Sequence, residues 1–343
     1  MPDAGGILPL LPADAGPDLD AGPDAGPDAG LDAGLVASAS DAGAPKVKEP
    51  LNQAGGPAQL AGKDPNVQIL IAGDRIRSHA LGEGFGKILR SIPEWKGFFQ
   101  DTSIDPIKDL DHMLLAGPRF KGDSSNVVAV MDYNRPDKDI RAAVEGIVTR
   151  ANGTWIKDAP VPAAKAKADK AERIFALVPE KNLLVILPAK EEAQLKKLKA
   201  MKAFSKSSPV AIVISMVTPS RPFKGILPVP ETFKWLRMGV TPTGEGATVS
   251  LEAADASPEE ARRHAQDLTA QVELLRGQLR FENPLPFGPK TIEAFDKIEF
   301  VADGNLVRAE LKLSMRQLKA IMKFAEQSFQ ERAQQQQGAP PKK

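Results

Sequence analysis

Gly82-Glu-Gly-Phe-Gly-Lys87 follows an apolar run and leads into a helical pattern, the setting in which backbone amides cradle a phosphate. The spacing denies it that chemistry. A phosphate loop needs Gly five residues before Gly86 and Ser or Thr after the Lys, and those positions hold Leu81 and Ile88. Glu83 would also repel a phosphate, so flexible glycines ahead of a helix are expected. Asp105, Asp109 and Asp111, with His112, form the densest acidic cluster. An oxygen-ligated metal needs carboxylates that converge in a tight loop. Ile104-Asp105-Pro106 instead reads as a turn followed by helix-start charges. The three histidines, His79, His112 and His264, are far apart, and neither G-x-S-x-G nor H-E-x-x-H occurs. The chain has no Cys, which removes disulfides, thiolate nucleophiles and Cys-held metal centres together. No catalytic, cofactor-binding or metal-binding residue is nominated, no cofactor is expected, and the chain reads as a non-enzyme. An enzyme assembled from dispersed carboxylates is the distant alternative.

Basic residues concentrate between 157 and 206, with twelve Lys or Arg against six Asp or Glu. Lys190, Lys196, Lys197, Lys199, Lys202 and Lys206 crowd one predicted helix. Interleaved aromatics and arginines, which base stacking and bidentate readout prefer, are missing. Nucleic-acid or anionic-lipid binding could use such a patch, but a solvated helix face is expected ahead of both, and nucleic acid is not expected as a partner. Binding, if any, is expected in the long loops after two leading strands, residues 75–84 and 218–230. Their candidate residues are Arg75, Arg77, Arg221 and Lys224.

These residues must be positioned by a chain of unlike parts. The 343 residues carry a formal charge of +1, but residues 1–45 contain eight Asp and no Lys, Arg or Glu, so the rest carries +9. The same stretch is almost wholly Pro, Asp, Ala and Gly, with PDAG in register at Pro23–Gly26 and Pro27–Gly30. Such a segment lacks the apolar surface to offset ordering entropy, so residues 1–65 are expected to be a disordered, extended spacer. Residues 332–343, which include Gln334–Gln337, are expected to be a disordered tail. The PDAG tract resembles the spacers that follow the anchor in lipid-anchored or secreted envelope proteins of Gram-negative bacteria. That resemblance implies a cell-envelope location, in the periplasm or at the surface, with envelope protein partners. Met1-Pro2-Asp3 lacks a basic n-region and Gly6–Leu11 is too short for a signal core, so an export signal upstream of Met1 is expected; without one the chain would be cytoplasmic. No run is apolar enough to span a bilayer.

Between 66 and 331 one unit recurs. Leu306–Leu313 alternates Val307, Ala309, Leu311 and Leu313 with Arg308, Glu310 and Lys312, a half-buried strand. Asp303-Gly304 turns into it, and Ser314 with Gln317 spells a capping box. Ser257-Pro258-Glu259-Glu260 starts another helix, with Ala261, Ala265 and Leu268 on one face. Helix starts near 136, 188, 258 and 315 pair at separations of 122 and 127 residues. The expected fold is α+β, a tandem duplication of strand-helix-hairpin-helix-hairpin-helix over 66–204 and 209–331, with antiparallel sheets and helices on one face. Lys157–Arg173 is expected as an exposed excursion. The functional expectation is an envelope-associated interaction or structural protein, with a cradle for a lipid or other amphiphile between sheet and helices as the alternative.

Overall fold

A computed structural model of the chain describes residues 49–62, 65–91, 99, 102–118, 126–168, 171–206, 208–223, 229–282, 298–323 and 326. The fold is α+β. Its twelve strands are β1 (Val67–Ala72), β2 (Leu110–Gly117), β3 (Val128–Tyr133), β4 (Thr154–Trp155), β5 (Ala163–Ala168), β6 (Ala171–Val178), β7 (Leu183–Pro188), β8 (Ile212–Val217), β9 (Trp235–Thr243), β10 (Gly246–Ala254), β11 (Phe300–Asp303) and β12 (Leu306–Ser314). They form one sheet in the order β11-β12-β10-β9-β8-β1-β2-β3-β7-β6-β5-β4. Every pairing is antiparallel, and the spans 66–204 and 209–331 meet where β1 pairs with β8, Leu70 opposite Val213.

Strand residues two apart share a face, so the core clusters reveal which helix covers which side. Ile71, Met113, Met131, Leu184, Ile212, Ala247 and Leu313 line one face. Against it pack α2 (Gly73–Ile76) through Ile76, α3 (Ala80–Ser91) through Leu81 and Leu89, and α4 (Asp137–Arg150) through Ile140, Val144, Ile147 and Val148. That spacing is a helical stripe. The helix α8 at 315–323 joins them through Leu318. Ala253 and Val307 share the parity of Ala247 and Leu313, so α7 (Pro258–Glu282) lies on the same face through Ala261 and Ala265. Both expected helix starts are made. The Ser257 hydroxyl accepts from the Glu260 amide at 3.2 Å, and Gln317 Oε1 accepts from the Ser314 amide at 2.8 Å.

Three sequence expectations need correction. The first concerns helices on a single face. Leu70, Leu114, Val130, Val185 and Leu187 line the opposite face, and it is covered by α1 (Pro50–Ala54), a 3₁₀ turn at Gly56–Leu60, and α5 (Leu195–Leu198) with the chain behind it. Strand β7, buried along its whole length between the two layers, is apolar on both sides for that reason. The second concerns the spacer boundary at 65. Ala54 and Leu60 have no solvent exposure, and Gly55 bridges Phe204, so residues 49–62 belong to the packed body. The third concerns Lys157–Arg173. It contains β5 and enters β6, because Ala164 and Ala166 alternate with Lys165 and Lys167 and pack beneath α4. Among the described residues no helix is long and apolar enough to cross a membrane.

Candidate functional site

The acidic cluster folds as the turn its Pro implies. Asp105 Oδ1 accepts from the amides of Ile107 and Lys108 at 2.9 Å, and Asp109 Oδ2 accepts from the Asp105 amide at 2.7 Å. Each carboxylate also meets a guanidinium: Arg90 at Asp105, Arg135 at Asp109 (3.3 Å, on the same Oδ2) and Arg77 at Asp111 (2.6 Å). The carboxylates therefore diverge to three cations instead of converging on one. Burial pushes the Asp105 carboxyl up, but the two amides and Arg90 outweigh it and hold it below the usual range. Asp111 is likewise held low, its burial outweighed by Arg77 and Asn134. His112 points to the other side of β2. It is buried between Asp132 (Nδ1 to Oδ2, 3.3 Å) and Asp74 (Nε2 to Oδ1, 3.9 Å), and it stacks on Phe204.

The glycine-rich stretch is not a loop ahead of a helix. It lies inside α3, where a Cβ at Gly82 would meet the Ile76 carbonyl oxygen at 2.2 Å and one at Gly84 would meet Met322 at 2.8 Å. These glycines let the helix approach its neighbours. Lys87, the residue a phosphate would need, is paired with Glu83 at 3.0 Å along the same helix.

One constellation escapes sequence reasoning. Among the described residues, the donor atoms of Asp255, Glu260 and His264 lie within 4.8 Å of one another. Asp255 follows β10 and is fully buried; His264 is one turn further along α7 than Glu260. His264 Nδ1 donates to Asp255 Oδ2 at 2.7 Å, and Phe233 meets the ring edge-on. The Asp255 carboxyl is pushed up by burial but held below the usual range by His264, Thr232 and the Ala256 amide. The geometry disfavours two chemistries. A nucleophilic triad needs the hydroxyl on the ring nitrogen opposite the carboxylate, yet Thr232 Oγ1 and Asp255 both sit at Nδ1. A cation at Nε2 would compete with Arg263, whose Nη2 lies 3.3 Å from Nε2 and also pairs with Glu260. The cluster fastens the start of α7 to the end of β10. No Asp-to-His signal marks it in sequence, because Thr232 and Phe233 come from a separate segment.

On the face opposite the long helices, β9, β10 and β12 carry a charge ladder. Glu252 sits in register between Arg237 and Arg308 and accepts from both, at 3.3 and 3.0 Å. Arg237 also reaches Glu49 at 2.9 Å and lies over the Trp235 ring, 4.3 Å from its centroid. Arg308 also pairs with Asp303.

The loop candidates fare unequally. Arg77 is a staple: Nε donates to the Ile107 carbonyl at 3.2 Å while Nη2 pairs with Asp111. Arg75 is exposed, and its Nη2 donates to the Lys206 carbonyl at 3.1 Å. Arg221 is exposed on α6 (Ser220–Phe223), and among the described residues no hydrogen bond or ion pair joins it to Arg75 or Arg77. Lys224 lies outside the described residues.

Residues 190–206 are different. Leu195, Leu198, Met201 and Phe204, three apart, are buried against the face under α1. The lysines between them, with Lys190, are exposed. Among the described residues none of Lys190, Lys196, Lys197, Lys199, Lys202 and Lys206 makes an ion pair. Lys181 instead works from behind, donating to the carbonyls of Leu198, Lys199 and Met201 at 3.3, 2.5 and 2.6 Å.

No protein-family model matches the chain, and no curated protein matches it in sequence. Solved structures of a protein called TP0453 match the chain at low similarity. Crystal form I is 10% identical over 81% of this chain and 98% of that one, with a TM-score of 0.44. Crystal form III gives the same identity and TM-score over 81% and 99%, and form IV gives 9% and 0.42 over 77% and 94%. At that distance the likeness assigns this chain to no family.

Proposed function

We propose that the chain is a non-enzymatic interaction protein of the cell envelope, with an N-terminal spacer carrying an α+β body that arose by tandem duplication. One observation carries the functional part. Among the described residues, the groups with catalytic or metal-binding potential are spent on one another, whereas Lys190, Lys196, Lys197, Lys199 and Lys202 stand on the surface without an ion pair. A body of this kind presents a surface rather than a reaction centre. The duplication reading is supported by connectivity. Outward from the central β1–β8 pair, each half continues through a hairpin, β2–β3 or β9–β10, into a long helix, α4 or α7. Each chain then returns so that its last strand, β7 or β12, pairs with the second strand of that hairpin. The envelope location rests on the PDAG resemblance.

Fractionation of the native host, with in-cell cross-linking, tests the reading. Recovery with the envelope and cross-links to an envelope component are expected. Recovery in the soluble cytoplasm without such cross-links overturns it.

A further inference from the structure

We infer that the exposed side of residues 190–206, with Arg75 beside it, is a docking surface for an anionic lipid bilayer. This deepens the envelope reading by naming what the body rests on. The surface is held in place. Four apolar side chains at three-residue spacing pin it inward, Gly55 bridges Phe204, and the Gly56 backbone lies so close that a Cβ there would be 1.8 Å from the Lys202 carbonyl oxygen. Lys181 ties off three further carbonyls from beneath. With the apolar positions turned inward, the intervening lysines are left to project outward.

The charge is strongly one-signed. Six lysines stand against Glu191 and Glu192, and Glu192 is already taken by Lys165 at 2.6 Å. Arg75 adds a further cation through its contact with Lys206, with no ion pair of its own among the described residues. Asp111, the acidic group that Lys206 acts on, is already paired with Arg77 at 2.6 Å. Clusters of this size, with cations in excess over their acidic neighbours, are what a negatively charged leaflet attracts, and the attraction acts within a Debye length of about 8 Å at physiological salt. Lysine suits that partner. It is a compact, hydrated point charge on a flexible stem, fitted to a diffuse array of headgroups rather than to a shaped acidic pocket. Nucleic acid would call for stacking aromatics, and the one aromatic of the segment, Phe204, is buried.

The test uses the full chain and large unilamellar vesicles of phosphatidylcholine, with or without phosphatidylglycerol. Cosedimentation with the anionic vesicles alone, lost when salt is raised, is expected. Each basic residue near the surface is worth about five-fold in partitioning. The triple variant Lys196→Gln, Lys197→Gln, Lys199→Gln should therefore bind about a hundred-fold more weakly. The corresponding triple Arg variant should bind like the parent. These side chains are exposed, so circular dichroism and the melting midpoint should stay unchanged in both variants. Equal binding to neutral vesicles, an unaffected Gln variant, or retention on heparin or RNA by a chain that leaves vesicles unbound overturns the inference. A chain that fails on vesicles yet fractionates with the envelope removes this inference alone. A chain that binds vesicles but is recovered from the cytoplasm removes only the envelope reading.

Discussion

His264 Nδ1 lies 2.7 Å from Oδ2 of Asp255, a carboxylate with no solvent exposure at the end of β10. Because a carboxylate only accepts, Nδ1 is the donor in this contact, while Nε2 lies 3.3 Å from Arg263 Nη2. The contact joins the second turn of α7 to the strand that precedes it. Thr232 and the Ala256 amide complete the shell of the same carboxylate.

Removing that carboxylate leaves several donors facing a buried void. Asp255→Ala should cost about 3 kcal/mol, since a buried charged partner is lost and its donors go unpaired. Asp255→Asn, which keeps an acceptor oxygen, should cost less. Urea unfolding with an unchanged slope checks both. A loss below 0.5 kcal/mol for Asp255→Ala, on the order of a surface substitution, would remove the fastening role.

Acid should act through Asp105, Asp111 and Asp255 together, because all three are held below the ordinary carboxylate range by hydrogen bonds that outweigh burial. For a folded pKa below the unfolded one, the unfolded chain takes up its proton first as pH falls. The stabilisation is thus full well above pH ~4 and is lost as pH drops through the depressed folded values. Melting midpoints from neutrality to pH ~2 should stay flat and then fall. Asp105→Asn should be less stable at neutral pH and lose less on acidification. Parallel curves for variant and parent would show that Asp105 is not one of the titrating groups.

What was legible in the sequence was local. Ser314 and Gln317 spell their cap within four residues, and β12 states its own two faces by alternation. Ile140, Val144 and Ile147 mark the buried stripe of α4 unaided. The misses share a different cause. Ala163–Ala168 is a strand whose buried side is only alanine, a residue that favours helices and gives periodicity little contrast. Residues 49–62 hold few large apolar groups, and the chain at 202–205, about 150 residues away, decides their burial. The Leu195-Leu198-Met201-Phe204 spacing suits a helix for one turn and then continues as irregular chain, because packing on the sheet needs only every third residue inward. The Asp255–His264 pair was beyond reach for a related reason. Nine residues separate it, and Thr232 and Phe233 arrive from outside the segment.

The packed N-terminal segment makes a sharp prediction. Leu60 has no exposure and sits among Leu70, Leu195 and Leu198. Leu60→Ala should destabilise by about 2–5 kcal/mol through lost burial and the cavity left behind. Gly56→Ala should be comparably harmful, because its methyl group would overlap the backbone of Lys202. Were residues 49–62 part of a spacer, both changes would be silent in a thermal melt.

Alkali gives the complementary test, and the chain's one tyrosine makes it readable. Tyr133, on β3 and 1% exposed, donates its hydroxyl to Asp137 Oδ1 at 2.5 Å, in the first turn of α4. Burial first, and then the neighbouring Asp137 carboxylate, push its ionisation far above the ordinary phenol range. The folded pKa is raised, so the contribution is full below the unfolded value of about 10 and is lost as pH climbs beyond it. Tyrosinate absorbance should therefore not appear in a simple titration near that pH. It should rise together with the loss of far-ultraviolet circular dichroism, when the body opens. Tyr133→Phe should cost about 1–2 kcal/mol at neutral pH and weaken the alkaline dependence. Tyrosinate appearing at pH ~10 with secondary structure intact would show that the hydroxyl is reachable by water and that the β3–α4 contact is not closed.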